Sequence, residues 1–293
     1  MAAEPHGHRR RSMSGQGALE LDGLVVAGMD DGTDLPVEHS PRPYLHPLRS
    51  PAGQVVTAVA PDDHPWHHGL SLAVADVNGD NLWGGNTFVA GRGYVLLPDH
   101  GRIDVTGSSR PDAATAVTEV VWLGRDRAPL AREHRVVRAG RVEGAPAWQL
   151  HATSQLSPVA APLLLGSPAT RGRPDVGYGG WTLRMSAALT GAEVLTSLDP
   201  GRPVGEGAMG QVADWVCYRS DDVTVLLAVD RPCPWYVRCD EFSVAGPAPF
   251  SREVVTVPLG GALDLDVRVV VGDGRLDPLE LLARAEPART TSA

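Results

Sequence analysis

The chain contains no lysine, so all 26 basic residues among its 293 residues are arginines. Schiff-base chemistry, covalently bound pyridoxal phosphate and a lysine-containing phosphate loop all need the lysine amine, and these three classes of site are excluded. Any polar chemistry must therefore come from His, Asp, Glu, Tyr or Arg.

Cysteine and long apolar runs are also scarce. Cys217, Cys233 and Cys239 are an odd number without a CxxC pair, which predicts buried thiols in a reducing compartment. A Cys233–Cys239 disulfide is the alternative. No apolar stretch reaches the ~18–20 residues that span a bilayer, and residues 1–17 lack the apolar segment of a secretory signal. We therefore expect a cytoplasmic location and no membrane partner.

Clustered positive charge is lacking as well. The formal net charge is -9, and the one basic run, Arg9–Arg11, lies in a polar N-terminal tail. Nucleic-acid-binding domains usually carry a basic face, so no nucleic-acid partner is expected. Residues 1–17 are predicted to be a disordered tail, and residues 287–293 are predicted to be frayed.

Helical periodicity is rare, and strand-like patterns fill the chain. Only residues 277–285, with Asp at the N-cap and Pro in the first turn, predict a helix. Strands without intervening helices predict antiparallel sheets, stacked as one large all-β sandwich over residues 18–286. The Pro- and Gly-rich segment 157–179 is predicted to be a surface loop bordering a site, with a domain linker as the alternative. The predicted strands are 19–26, 43–48, 54–60, 69–77, 102–107, 116–123, 131–138, 147–154, 180–189, 211–218, 223–229, 234–238, 252–259 and 263–272.

The densest group of reactive side chains is DDHPWHHG, residues 62–69. Histidine titrates nearest neutral pH and serves as acid, base or metal ligand. The octapeptide separates two strand-like runs, so we expect it on a turn. There two of His64, His67 and His68 would converge on a cleft, with Asp62 or Asp63 orienting a ring. The alternative is that these imidazoles only satisfy backbone carbonyls around a proline turn.

Two strand motifs carry further candidates. Arg42, Tyr44 and His46 alternate onto one face of a predicted strand. Such a face suits the binding of a polar ligand, and the alternative is the solvent-exposed face of an edge strand. Glu133 shares a strand face with Arg135. This glutamate is the best-placed candidate base outside the histidine cluster, and a simple same-face ion pair is the alternative.

Further candidate residues, aromatic rings and arginines, lie in the C-terminal half of the chain. The diglycine after Tyr178 permits a close backbone approach or a bulge, and Arg184 follows on the same strand. Trp235 and Arg238 lie in a segment with two prolines. Aromatic faces and guanidinium groups are typical of carbohydrate contacts, although Trp is also a common core residue in β proteins.

Five motifs follow one another along the chain: RPYLHPL (42–48), DHPWHHGL (63–70), VNG (77–79) with Trp83, YGG (178–180) with Arg184, and WYVR (235–238). In this order they resemble the bacterial PmoA-like family of unknown function, and the resemblance covers about residues 40–275. The family label "methane oxygenase" does not suit a chain without spanning segments.

The resemblance implies a role in carbohydrate catabolism beside a sugar oxidoreductase, and a fold similar to the galactose-mutarotase-like supersandwich. In that superfamily a His protonates the ring oxygen and a carboxylate removes a hydroxyl proton. By this likeness, His67 or His68 would be the acid and Glu133 the base.

We therefore predict an enzyme that uses His/Glu acid–base chemistry on a sugar or an oxidised (keto) sugar, as an epimerase, lyase or glycoside hydrolase without a cofactor. The predicted catalytic residues are His67, His68 and Glu133. The predicted substrate-binding residues are Arg42, Tyr44, His46, His64, Trp83, Tyr178, Arg184, Trp235 and Arg238.

Two alternatives stay open. The first is a sugar lyase or hydrolase that depends on a divalent metal, held by His64, His67 and His68 with His100 or Glu133. The second is a non-catalytic carbohydrate-binding protein.

Overall fold

Strands dominate the part of the chain that the structure, a computed structural model, describes: residues 17–285. The expected N-terminal tail before residue 17 and the frayed end at 287–293 lie outside the described residues. The strands are Ala18–Leu21 (β1), Leu24–Asp30 (β2), Tyr44–Leu48 (β3), Leu70–Val77 (β4), Asp80–Leu82 (β5), Thr87–Val89 (β6), Gly93–Val95 (β7), Arg102–Asp112 (β8), Thr115–Leu123 (β9), Pro129–Arg141 (β10), Ala147–Pro158 (β11), Leu163–Gly166 (β12), Gly179–Arg184 (β13), Glu193–Thr196 (β14), Val212–Arg219 (β15), Val223–Arg238 (β16), Val244–Pro247 (β17), Val255–Val257 (β18) and Leu263–Asp273 (β19).

Between residues 17 and 285, helical structure is limited to one α-helix, Pro278–Arg284 (α1), and short 3-10 turns at Val37–His39, Ala169–Arg171, Ala187–Leu189 and Gly205–Ala208. The predicted cap of α1 is confirmed, since Asp277 Oδ1 accepts from the amides of Leu279 at 2.8 Å and Glu280 at 3.0 Å. None of the helices in residues 17–285 is long and apolar enough to cross a membrane.

Seventeen strands pair into one curled sheet whose two halves stack face to face. The half that we call the back sheet has the order β8-β9-β10-β11-β19-β16-β15-β14. The front sheet has the order β1-β2-β3-β4-β13-β17-β16, with β5 and β12 also paired to β4 and β18 paired to β12. The ladders are antiparallel, which confirms the predicted all-β sandwich. The likeness to the supersandwich stays an expectation from the resemblance.

The front sheet divides its side chains between the core and an outer face, because successive residues of a strand point to opposite sides. On β13, Trp181 and Leu183 are buried in the apolar core, whereas Thr182 and Arg184 point outward. On β16, Trp235 points inward in the same way. The outer face of the front sheet therefore carries the polar half of each strand.

A charged pair lies inside the sandwich, on the inner face of β10. Glu133 accepts from Arg135 Nε at 2.6 Å and from Trp122 Nε1 at 2.7 Å, and Ser154 also donates to it. Glu133 is 1% exposed and Arg135 is 5% exposed. The Arg135 guanidinium lies 4.9 Å from the centre of the Trp181 ring. The pair thus connects the two sheets through the core.

Some strand bounds differ from the sequence prediction. The strand expected at 19–26 is the β1–β2 hairpin, because Asp22 and Gly23 adopt positive φ values of 52° and 77° and turn the chain. The run 54–60 makes isolated bridges instead of a strand. The segment 157–179, expected to be a loop, contributes β12 to the front sheet.

The buried pair makes a prediction about stability. Glu133→Ala leaves the Arg135 guanidinium buried without its counter-charge, and we expect it to lower the free energy of unfolding by ~3–5 kcal/mol, measured by urea denaturation. Glu119→Ala is the matched control on the neighbouring strand, because Glu119 pairs with exposed His134 and should cost ~1 kcal/mol or less. Equal losses in the two variants would contradict the role of the pair.

Candidate functional site

The outer face of the front sheet carries a hollow of about 540 Å³. This size is typical of small-molecule sites, which range over ~300–1,000 Å³. Five predicted site residues line the hollow: His64, His67, Trp83, Tyr178 and Arg238. Its other lining residues are Trp66, Gly84, Asn86, Tyr94, Arg173, Glu206, Tyr236, Asp240, Glu241 and Phe242.

The octapeptide forms one wall of the hollow and is a hairpin loop, as predicted. The Ala60 amide donates to the His67 carbonyl at 2.9 Å, which closes the loop. The Arg184 amide donates to the Gly69 carbonyl at 2.8 Å and so ties the loop to β13. The imidazoles are therefore held on rigid backbone at the edge of the front sheet.

Asp63 orients His64. The carboxylate lies 2.9 Å from His64 Nδ1 and 2.9 Å from Arg184 Nη2. Burial alone would raise the pKa of Asp63, but the hydrogen bonds from His64 and Arg184 outweigh it and hold the pKa below its ordinary value. An ionised carboxylate only accepts, so Nδ1 of His64 carries a proton, and the neutral form of this tautomer has its lone pair at Nε2.

His67 lies behind His64 with its ring stacked at 4.8 Å. Burial is the largest cause that lowers the pKa of His67 well below its ordinary value, and any positive charge on His64 and the guanidinium of Arg184 lower it further, so the ring is neutral. Arg184 Nη1 lies 3.3 Å from His67 Nδ1. A guanidinium only donates, so we assign Nδ1 as the acceptor and place the ring proton on Nε2. The two rings therefore offer opposite groups, an acceptor on His64 and a donor on His67.

Aromatic rings form the floor. Trp83 is central, with ring centres 4.5 Å from Tyr178, 6.1 Å from Tyr236 and 5.7 Å from His67. The Tyr178 hydroxyl lies 3.1 Å from the Tyr94 hydroxyl. Burial raises the pKa values of Tyr178 and Tyr236, so their hydroxyls stay neutral.

A glutamate–arginine pair, Glu206 and Arg238, forms another wall. Arg238 Nη1 lies 2.7 Å from Glu206 Oε2. Burial raises the pKa of Glu206, but the hydrogen bonds from Arg238 and from the Cys239 amide outweigh it, so the pKa lies below its ordinary value. The wall therefore offers an ionised acceptor beside a charged donor, an arrangement suited to adjacent hydroxyl groups.

The structure places Glu133 and Trp235 away from the hollow, which corrects their expected placement. Glu133 lies on the inner face of the back sheet, with the front sheet between it and the hollow. Trp235 is fully buried and donates from Nε1 to the Ala213 carbonyl at 2.8 Å. Each side chain points to the core because the alternation of its strand puts that position inward.

Other predicted binding residues lie beside or beneath the hollow and support it. His46 Nδ1 lies 2.8 Å from Thr57 Oγ1, and the Tyr44 ring lies tilted against His68 with ring centres 5.3 Å apart. His68 is 1% exposed, and burial, followed by the charge of Arg42, lowers its pKa to about 2. Arg42 is buried and braces the loops, donating to the carbonyls of His39, Ser40, Trp66 and Trp83 and to Ser71 Oγ.

The histidines considered as metal ligands do not share one coordination centre in residues 17–285. His100 Nε2 lies 2.7 Å from the Gly85 carbonyl instead of facing the hollow. Two other groups have ligand atoms within 4.8 Å of one another: His151 with Asp230 and Asp266, and Glu206 with Cys239 and Asp240. A carboxylate of each group is already in an ion pair with an arginine: Asp230 with Arg268, and Glu206 with Arg238. Cys239 is a free thiol, like Cys217 and Cys233, and burial raises its pKa to about 12.

Sequence reasoning missed several lining residues. Tyr236 was detectable, since it follows Trp235 and alternation puts one of the two on the outer face. Tyr94 sits on the short β6–β7 hairpin, and Glu206 sits in a Gly-rich 3-10 turn. Neither segment shows a periodic pattern, so no local signal marks these two residues.

The buried histidines make stability depend on pH. The pKa values of His67 and His68 are lowered in the folded chain relative to ~6.5 in the unfolded chain. The unfolded state therefore binds more protons below that pH, and stability falls as the pH falls, by ~1.4 kcal/mol per pH unit for each ring.

We expect His68→Phe to remove one such contribution between about pH 5.5 and 4.5, measured by urea denaturation. His134→Phe, which changes an exposed ring, is the control. An unchanged slope in His68→Phe would contradict the burial of a neutral His68.

Comparison with known proteins gives the family but no activity. No curated protein matches the chain. One family model matches residues 17–286, which is nearly the whole chain and includes every residue that lines the hollow. Its description assigns no substrate or reaction. The chain therefore belongs to the family of unknown function DUF6807.

Proposed function

We propose that the chain is an enzyme that removes a proton from the carbon next to the carbonyl group of an oxidised sugar bound in the hollow. The observation that carries the proposal is the pair of stacked imidazoles, His64 and His67, which present an acceptor and a donor on one wall. Enolisation needs such a combination: a base at the C–H bond and a hydrogen-bond donor at the carbonyl oxygen.

His64 is the proposed base. Its Nε2 lone pair takes the proton from carbon, and the imidazolium that forms is stabilised by the Asp63 carboxylate at Nδ1. The C–H electron pair forms a C=C bond, the carbonyl π pair moves to the oxygen, and an enolate results. Arg184 keeps Asp63 ionised throughout.

His67 is the proposed donor to the enolate oxygen. A neutral imidazole is a weak acid, poorly suited to protonating a ring or glycosidic oxygen. It is well suited to polarising a carbonyl, as a neutral histidine does in known isomerases. The lowered pKa of His67 therefore favours a keto substrate over a direct glycosidic cleavage by an imidazolium.

The remaining walls favour a polyhydroxylated ligand. Trp83, Tyr178 and Tyr236 supply apolar floor for C–H faces, and the Arg238–Glu206 pair offers a donor beside an acceptor. Because that arginine is already paired with a carboxylate, the wall suits hydroxyls better than a second anion. Return of the proton to the other face would give an epimer, and loss of an alkoxy group at the next carbon would give elimination. A sugar oxidoreductase is the class of partner that would supply the keto group.

The test is isotope exchange. Methyl 2-, 3- and 4-keto-glucosides are incubated with the full chain in D2O, and loss of the C–H signals beside the carbonyl is followed by NMR. We expect exchange with at least one of them, and a rate lowered by ~10²-fold or more in His64→Gln, with the Kd for the sugar within a few-fold of wild type.

The matched control is His134→Gln, which disrupts a similar His–carboxylate pair on the outer surface and should keep the wild-type rate. Binding without exchange of any keto-glucoside would overturn the proposal in favour of a carbohydrate-binding protein. Exchange that is lost to a chelator and restored by a divalent cation would overturn it in favour of the metal-dependent alternative.

A further inference from the structure

A second, much smaller cavity also borders His67 and shares Trp83 with the lining of the hollow. Its volume is about 10 Å³, close to the space that one buried water needs. Its lining includes His67, His68 and Arg184. Three buried nitrogens of these lining side chains have no hydrogen-bond partner within residues 17–285: His68 Nδ1, His68 Nε2 and Arg184 Nε.

The chemistry of these nitrogens is complementary to water. Arg184 Nε carries a hydrogen and only donates, whereas the neutral His68 ring has one donor and one acceptor nitrogen. A water can accept from Arg184 and donate to His68, which satisfies two buried groups at once. A buried polar group left unpaired is destabilising, so a cavity of this size bordered by such groups favours an ordered water.

The other edges of the Arg184 guanidinium are already committed. Nη2 lies 2.9 Å from Asp63, Nη1 lies 3.3 Å from His67 Nδ1, and Cζ lies 4.5 Å from the centre of the Phe242 ring. Arg184 is 6% exposed and lines the small cavity instead of the hollow. A contact at Nε would fix the remaining rotation of the group.

We propose that Arg184 is a positioning residue, held from behind by a water molecule shared with His68, and that it sets the tautomer of His67 and the orientation of the Asp63–His64 pair. The catalytic consequence rests on the proposed function, but the placement of the water and of the ring proton does not.

The water is tested by a crystal structure of the full chain without ligand. We expect an ordered water within hydrogen-bond distance of Arg184 Nε and a ring nitrogen of His68. A dry cavity, or one closed by a side chain, would overturn this part of the proposal.

The tautomer is tested by ¹⁵N NMR of the labelled chain, which needs no substrate. We expect the wild-type spectrum to show His67 with an unprotonated Nδ1 and a protonated Nε2. Arg184→Met should move both nitrogens toward averaged tautomers, Arg184→Lys should move them less, and exposed His134 is the internal control. A wild-type His67 protonated at Nδ1 would overturn the proposal even if neither variant folds. So would an unchanged His67 spectrum in Arg184→Met.

Exchange kinetics then test whether the positioning by Arg184 affects the rate of the proposed reaction. In the D2O exchange assay we expect Arg184→Met to lower the rate by ~10²-fold, as misplaced catalytic groups do, with partial recovery in Arg184→Lys. Without the guanidinium the pKa of Asp63 should rise, so the acid limb of the pH–rate profile should move to higher pH. An unchanged pH profile would show a merely structural role. If the wild type exchanges no keto sugar, the proposed function fails while the NMR and crystallographic results still decide the placement of Arg184.

Discussion

The site depends on one constraint, the alternation of side chains along strands that have a core on one face only. The back sheet covers the inner face of the front sheet, and the inward-facing residues there are apolar: Trp181 and Leu183 on β13, and Trp235 and Val237 on β16. The intervening residues, such as Arg184 on β13 and Tyr236 on β16, point to the outer face. The same pattern that builds the core therefore delivers the Arg184 guanidinium to the small cavity and the Tyr236 ring to the hollow.

Much of the fold follows from local sequence. Segments of alternating apolar residues, bounded by Gly, Pro and Asp, marked most of the long strands. The capped helix at Asp277 was visible in four residues. The turn at residues 62–69 was also predictable, because a polar cluster between two apolar runs must leave the sheet. The short strands, such as β5 and β14, lack the length that makes alternation readable.

The candidate site was less predictable, because alternation shows that two faces exist but not which face is buried. Glu133 and Arg135 share a face, and that pattern alone suits an exposed ion pair, a catalytic carboxylate or the buried pair that the structure shows. The answer comes from Trp122, Trp181 and Ser154, which lie on other strands and close around the pair. Such contacts between distant segments leave no trace in the local sequence.

The adjacent histidines show that a difference of one position along the chain decides the surroundings of a side chain, and with them its role. His67 and His68 are equivalent in the sequence, but the loop turns the first toward the hollow and the second into the small polar cavity. Neither ring is an imidazolium at neutral pH, because burial lowers both pKa values. The imidazolium acid that the resemblance implies is therefore poorly supported at either position. A neutral donor at His67, with its proton placed by a guanidinium that can only donate, leads instead to chemistry at a carbonyl oxygen.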